Sequence, residues 1–184
     1  SAFFNTAPRN IGAIDDLTII TWNSGTDFRY YSGVVDLNKR LGKFEKSLAH
    51  LGIPFISLGS QIRERWKNKY KLRLTLDALK SINTKYVFCA DSADVLLLDD
   101  PALMVEKFSS MDCGILFNGE MLPFRRPYSP LEGPMVEEWE SFENTVGEGK
   151  FRYLNSGAYI GKVDELKKIL DYCVNVDIHL AVSE

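Results

Sequence analysis

The chain has little of what several protein classes depend on. Its 184 residues include three cysteines, two histidines and no long hydrophobic run. The longest unbroken apolar stretch, residues 86–90, is far short of the roughly 18 residues that a membrane-spanning helix needs, so no transmembrane segment is expected. Cys89, Cys113 and Cys173 are an odd, widely spaced set amid apolar neighbours. That pattern reads as buried thiols of a reducing compartment such as the cytoplasm, with one disulfide and a spare thiol as the other arrangement. No CxxC pair is present, and His50 and His179 alone do not make a His-rich zinc site. The chain begins Ser1-Ala2 without a signal-peptide core, which reads as a processed or engineered start.

Charge of one sign is lacking too. The 22 Lys and Arg against 25 Asp and Glu leave a formal charge of −3, which argues against general nucleic-acid binding. With 45% hydrophobic and 26% charged residues, the composition is that of an ordinary soluble globular domain, not a collagen-like, disordered or disulfide-scaffold chain. The length suits one domain. We expect an N-terminal arm over residues 1–16 and a single domain over 17–184.

The order of local patterns supplies the fold class. Leu17-Thr18-Ile19-Ile20-Thr21-Trp22 is a buried strand that ends at Asn23-Ser24-Gly25. Leu37, Leu41, Phe44, Leu48 and Leu51 mark one face of an amphipathic helix over 36–51, stopped by Gly52. Residues 53–58 form a second strand, and 70–82 a second helix with Leu72, Leu76 and Leu79 inward. A third strand, 85–90, runs directly into Asp91. A short helix over 101–108 carries Pro101 in its first turn. Strands follow at 113–117 and 153–161, with a closing helix at 163–173. Between them, residues 121–134 contain Pro123, Pro127, Pro130 and Pro134, a long loop of the kind that is often functional. This alternation predicts an α/β fold with a mostly parallel sheet flanked by helices. Ligands of such sheets lie beyond the carboxyl ends of the strands.

Three segments there could carry chemistry. Asp91-Ser92-Ala93-Asp94 puts two carboxylates three residues apart at a strand exit, a hard oxygen donor set for Mg²⁺ or Mn²⁺ beside a diphosphate. The same residues also fit a plain turn in which Asp94 caps a local helix. Arg63, Arg65, Lys67, Lys69, Lys71 and Arg73 are a basic run, of which Lys71 and Arg73 fall in the first turn of a helix, where anions bind. A solvated loop is the alternative for the rest. Asn155-Ser156-Gly157 interrupts a strand-like run, as a bulge does or as a backbone does where it approaches a ligand. Trp22 at its strand end could stack on a base, whereas Trp66 and Trp139 lie in charged, surface-like stretches. Phe124, Arg125, Arg126 and Tyr128 could line an acceptor cleft or an ordinary surface loop, and Glu132, Glu137, Glu138, Glu140 and Glu143 read as a solvated face.

In order, these segments resemble the glycosyltransferase domains of collagen-modifying enzymes, the procollagen lysyl hydroxylase glucosyltransferase module and its galactosyltransferase relatives. Lys71-Leu72-Arg73-Leu74, residues 87–95, Gly114-Ile115-Leu116-Phe117 and residues 153–161 carry the resemblance. It implies a GT-A-type, Rossmann-like fold, a UDP-sugar donor and Mn²⁺. By that analogy Asp91 and Asp94 hold the metal, and Lys71 lies near the donor with Ser92 in the same motif. Thr21, Trp22 and Asn23 fall where uridine is held, and Asn155, Ser156 and Gly157 lie beside the transferred sugar. The chain departs from the pattern at Leu122, where relatives carry Trp before the proline. It also stops at Glu184, about where their acidic-Gln segment begins and before their metal-binding His.

The expected activity is metal-dependent transfer of a hexose, glucose or galactose, from a UDP-sugar to a hydroxyl of a protein or glycan. Asn155 would orient the sugar, and Glu120 is the candidate base. The alternative is an inactive domain of the same fold that binds a nucleotide-sugar or scaffolds a partner. A nucleotidyltransferase would want a basic Gly-rich loop after the first strand, where Asn23-Ser24-Gly25 stands. An aspartyl-nucleophile phosphatase would want its acidic motif there, where Thr21-Trp22 stands.

Overall fold

The computed structural model describes residues 10–25, 41–64, 66–121, 141, 144–145 and 147–175. Most of the proline-rich segment, Arg65, Trp139, the glutamates at 132–143 and the two ends lie outside the described residues.

Strand β1 (Leu17–Trp22) is followed by helix α1 (Lys43–Leu51), strand β2 (Ile56–Leu58), helix α2 (Lys69–Leu79) and strand β3 (Tyr86–Asp91). Helix α3 (Ala102–Ser109), strands β4 (Ile115–Glu120) and β5 (Tyr153–Lys162), and helix α4 (Val163–Asn175) complete the described elements. The sheet order is β2-β1-β3-β5-β4. β2, β1 and β3 are parallel neighbours, while β5 runs antiparallel to both β3 and β4. Four strands therefore point one way and β5 alone is reversed, so the sheet is mixed but mostly parallel.

Alternation along the strands builds a core on each face. Leu17, Ile19, Tyr86, Phe88 and Ile160 pack with Phe44, Leu48, Leu51 and Phe108 of α1 and α3. Ile20, Trp22, Val87, Cys89 and Tyr159 pack with Leu79 of α2 and with Val163, Leu166 and Leu170 of α4. Asp91 continues the 87–89 parity, so its carboxylate emerges on the α2 side of the sheet beside Trp22, its partner in the β1–β3 register. Cys89, Cys113 and Cys173 are free thiols. Residues 10–16 form no helix or strand but are tied to the domain: Ile11 N–H donates to the Leu51 carbonyl (2.8 Å) and Tyr86 N–H to the Asp16 carbonyl (2.8 Å).

Several element boundaries differ from expectation: β2 starts at Ile56 and α2 ends at Leu79, and three more differ for a local reason. Helix α1 begins at Lys43, because Leu41 and Gly42 lie outside it and Gly42 is extended (φ −67°, ψ 175°). At its other end Gly52 adopts the left-handed conformation (φ 67°) and stops the helix as expected. Pro101 is the residue before α3, whose first turn is held by Asp100 accepting from Ala102 N–H at 2.8 Å. Strand β4 starts later and reaches Glu120, past a register shift between Phe117 and Asn118. Asn118, Gly119 and Glu120 are therefore strand residues, not a loop after the strand.

Among the described residues no helix is long and apolar enough to cross a membrane.

Candidate functional site

An open cleft of about 1180 Å³ lies across the carboxyl ends of β1 and β3. Because β5 is reversed, its first half reaches the same edge: Ala158 pairs with Ala90, and Asn155 with Asn118. This explains how Asn155, Ser156 and Gly157, early in their strand, line one cavity with Trp22, Asn23 and Asp91 to Asp94, which come late in or after theirs.

Lys71 and Asp91 are joined at the floor of this cleft. Lys71 Nζ forms a hydrogen-bonded ion pair with Asp91 Oδ1, and its ammonium also lies 5.0 Å from the centre of the Trp22 ring. Burial raises the Asp91 carboxyl above its ordinary pKa. The Lys71 charge and hydrogen bond oppose that shift, while the neighbouring Asp94 carboxylate adds to it. Asp94 itself is exposed. Gly157 makes room for Asp91: a Cβ there would sit 3.2 Å from Asp91 Oδ2 and 2.8 Å from Asn155 Oδ1.

Of the other cations in the basic run, Arg63 turns to the Ser60 carbonyl and Arg73 is exposed on α2, where its charge acts on Asp77. Only Lys71 of the basic run lines the cleft among the described residues. Lys43 and Lys46 of α1, which sequence reasoning passed over, also line it.

Several expected ligand-binding side chains are engaged within the protein. Thr21 is fully buried, and its hydroxyl donates to the Ala90 carbonyl (2.8 Å), so it ties β1 to β3 beneath the cleft. Trp22 is 5% exposed, and its indole N–H donates to Thr75 Oγ1 at 2.9 Å. Little of its ring is left for a base. Trp66, expected at the surface, instead lines the cleft and packs against Gly59, which has a positive φ of 104° and on which a Cβ would fall 2.9 Å from the indole. Its ring meets Tyr70 edge-on at 5.8 Å.

Asn23 Oδ1 accepts from Gly25 N–H (2.8 Å) and its Nδ2 donates to Glu45 Oε2 (2.6 Å). Asn155 Oδ1 accepts from Gly157 N–H (2.6 Å), and its Nδ2 donates to Glu120 Oε1. Asn155 thus shapes its own bend and holds the Glu120 carboxylate at the cleft wall. Ser92 is buried, and its hydroxyl donates to Glu45 Oε2 at 2.9 Å. Glu45 was not singled out from the sequence. The signal was present: a glutamate three residues after a glycine at a helix start is half of a capping box.

The donor set suits a hard divalent cation bound together with a diphosphate. Among the described residues no three His, Cys, Asp or Glu side chains cluster, and Mg²⁺-type sites commonly use one or two carboxylates plus substrate phosphates. Asp91 and Asp94 are the residues that could supply those carboxylates, and their repulsion together with Asp91's burial is what a bound cation would relieve.

Residues 17–179 match the family model described as the PLOD GT domain. A comparison with curated proteins finds no match.

Proposed function

Because this chain belongs to the PLOD GT domain family of glycosyltransferases, we propose that its cleft takes a UDP-hexose and a divalent cation, Mn²⁺ or Mg²⁺, and transfers the sugar to a hydroxyl of a protein or glycan. The observation that carries this reading is the convergence of Lys71, Asp91 and Asp94 at the exit of β3 with Asn155 and Glu120 across the same cleft. In the reaction, the bond from the sugar's anomeric carbon to the UDP oxygen breaks, and a bond from that carbon to the acceptor oxygen forms. The acceptor hydroxyl gives up its proton.

Asp91 and Asp94 would hold the cation. When bound, the cation neutralises charge on the diphosphate as it leaves. Lys71 opposes the burial that favours the neutral form of Asp91 and would add fixed positive charge beside the diphosphate, where negative charge grows in the transition state. Lys43 and Lys46 extend that positive wall from α1. The exposed part of the Trp66 ring offers a flat apolar face to the base. Glu120, which lines the cleft and is held through Oε1 by Asn155, would accept the acceptor's proton.

Hydrolysis of UDP-glucose and UDP-galactose, with and without Mn²⁺, tests the reading beside calorimetric UDP binding. Metal-stimulated release of UDP supports it. Metal-dependent binding without turnover points to an inactive nucleotide-sugar-binding domain, and no UDP binding at all removes the donor assignment.

A further inference from the structure

Glu45 is 1% exposed, yet its carboxylate receives four hydrogen bonds from four different segments. Oε2 accepts from Gly42 N–H (2.7 Å), Asn23 Nδ2 (2.6 Å) and Ser92 Oγ (2.9 Å), and Oε1 accepts from Ser57 Oγ (2.6 Å). Asn23 follows β1, Ser57 lies in β2, Gly42 precedes α1, and Ser92 stands between Asp91 and Asp94. A carboxylate is the one side chain of this length that accepts from both oxygens and donates from neither. Burying it without such partners would be costly. Only donors converge on it, so the site is built for an acceptor.

A second contact locks the same turn. Phe44 N–H donates to the Ser92 carbonyl (3.0 Å), and a Cβ on Gly42 would fall 2.2 Å from that carbonyl oxygen. The start of α1 therefore sits directly on the backbone of the Asp91–Asp94 turn, with Glu45 beneath it.

We propose that Glu45 is a positioning residue for the cation and diphosphate subsite, fixing the Ser92 turn so that Asp91 and Asp94 face the cleft in one arrangement. This rests on the function proposed above. Outer groups that orient metal ligands commonly matter by about ten- to a hundredfold in affinity, and Glu45 stands in that relation to the two aspartates.

Glu45→Leu keeps the bulk and removes both acceptors. Glu45→Gln keeps one acceptor oxygen for the three donors at Oε2, while its amide can donate to Ser57 Oγ. We expect Glu45→Leu to speed hydrogen exchange in segments 41–46 and 91–95 while β5 and α4 stay protected. Its Mn²⁺-dependent UDP affinity should fall about ten- to a hundredfold. Glu45→Gln should restore both. If Glu45→Leu does not fold, Glu45→Asp carries the same test, since its shorter side chain keeps the charge but cannot reach all four donors. Unchanged local exchange and UDP affinity in a folded Leu or Asp variant overturn the proposal. So does loosening spread evenly through the sheet, which marks an ordinary stability role. Failure of the native chain to bind UDP with Mn²⁺ would instead overturn the donor reading, and the exchange pattern would still decide whether Glu45 holds the turn.

Discussion

At the scale of single residues, the site depends on charges kept where burial disfavours them. Burial and Asp94 both push Asp91 toward its neutral form, and Lys71 is the counterweight. Lys71→Met removes that counterweight and a charge-assisted hydrogen bond, a class of contact worth about 1.5–3 kcal/mol. UDP affinity in Mn²⁺ should therefore fall by roughly tenfold or more, as calorimetry would show.

Cys89 behaves differently because burial outweighs the single hydrogen bond, from Tyr159, that favours its charged form. Full burial pushes its thiol up to about 12, and Tyr159, which hydrogen-bonds it, is raised as well. The sign follows from proton counts. Below the ordinary thiol value of 9.0 both folded and unfolded chains hold the proton. Above it the unfolded chain releases the proton and the folded chain does not, so stability falls as pH rises, by up to about 1.4 kcal/mol per pH unit. Urea melts between pH 8 and 10 should show this decline. In Cys89→Ala its onset should move above pH 10, where Tyr159 takes over. A thiol reagent at pH 8 should label Cys89 only after unfolding.

At the scale of elements, two glycines decide how backbone meets the cleft. Gly42→Ala would drive a methyl to within 1.9 Å of Ser92 Oγ and 2.2 Å of the Ser92 carbonyl, both firmly held. Forced overpacking of this kind costs about 1–3 kcal/mol, so the variant should lose about that much in urea melts and bind UDP more weakly. Gly157→Ala is a contrasting case, because the nearest neighbours of its methyl are cleft side chains, Asn155 and Asp91. UDP affinity should drop there with stability nearly unchanged.

These elements also show what was legible in advance. Hydrophobic runs located β1, β3 and α4 because burial on one or both faces writes itself into the period of the chain. The reversal of β5 was not legible, since strand direction is set by pairing across the sheet and leaves no mark on the strand's own residues. That reversal is why Asn155 reaches the cleft. Nor did spacing reveal that α1 begins at Lys43, because Gly42 is held outside the helix by Ser92, 50 residues further along the chain.

At the scale of the whole molecule, a net charge of −3 hides a cleft lined, among the described residues, by three lysines and three carboxylates: Lys43, Lys46 and Lys71 with Asp91, Asp94 and Glu120. A composition averages these away, whereas the fold gathers them from α1, α2, β3, β4 and the turn after β3. The strand-exit carboxylates and Lys71 were readable because each follows a strong local pattern. Trp66 was not, since its place comes from Gly59 and Tyr70, and of Glu45 only the helix-start spacing was readable, because Asn23, Ser57 and Ser92 reach it from elsewhere in the chain.

The proposed function requires that this cleft bind a nucleoside diphosphate through a cation held by Asp91 and Asp94. Asp94 is the better probe of the two, because it is exposed and its removal leaves the Lys71–Asp91 pair and the sheet intact. The decisive measurement is calorimetric UDP binding by the native chain and by Asp94→Ala, each with and without Mn²⁺. We expect metal-dependent binding by the native chain, lost in Asp94→Ala while its thermal melt stays unchanged. Equal UDP affinity in the two proteins, or affinity indifferent to Mn²⁺, would contradict it.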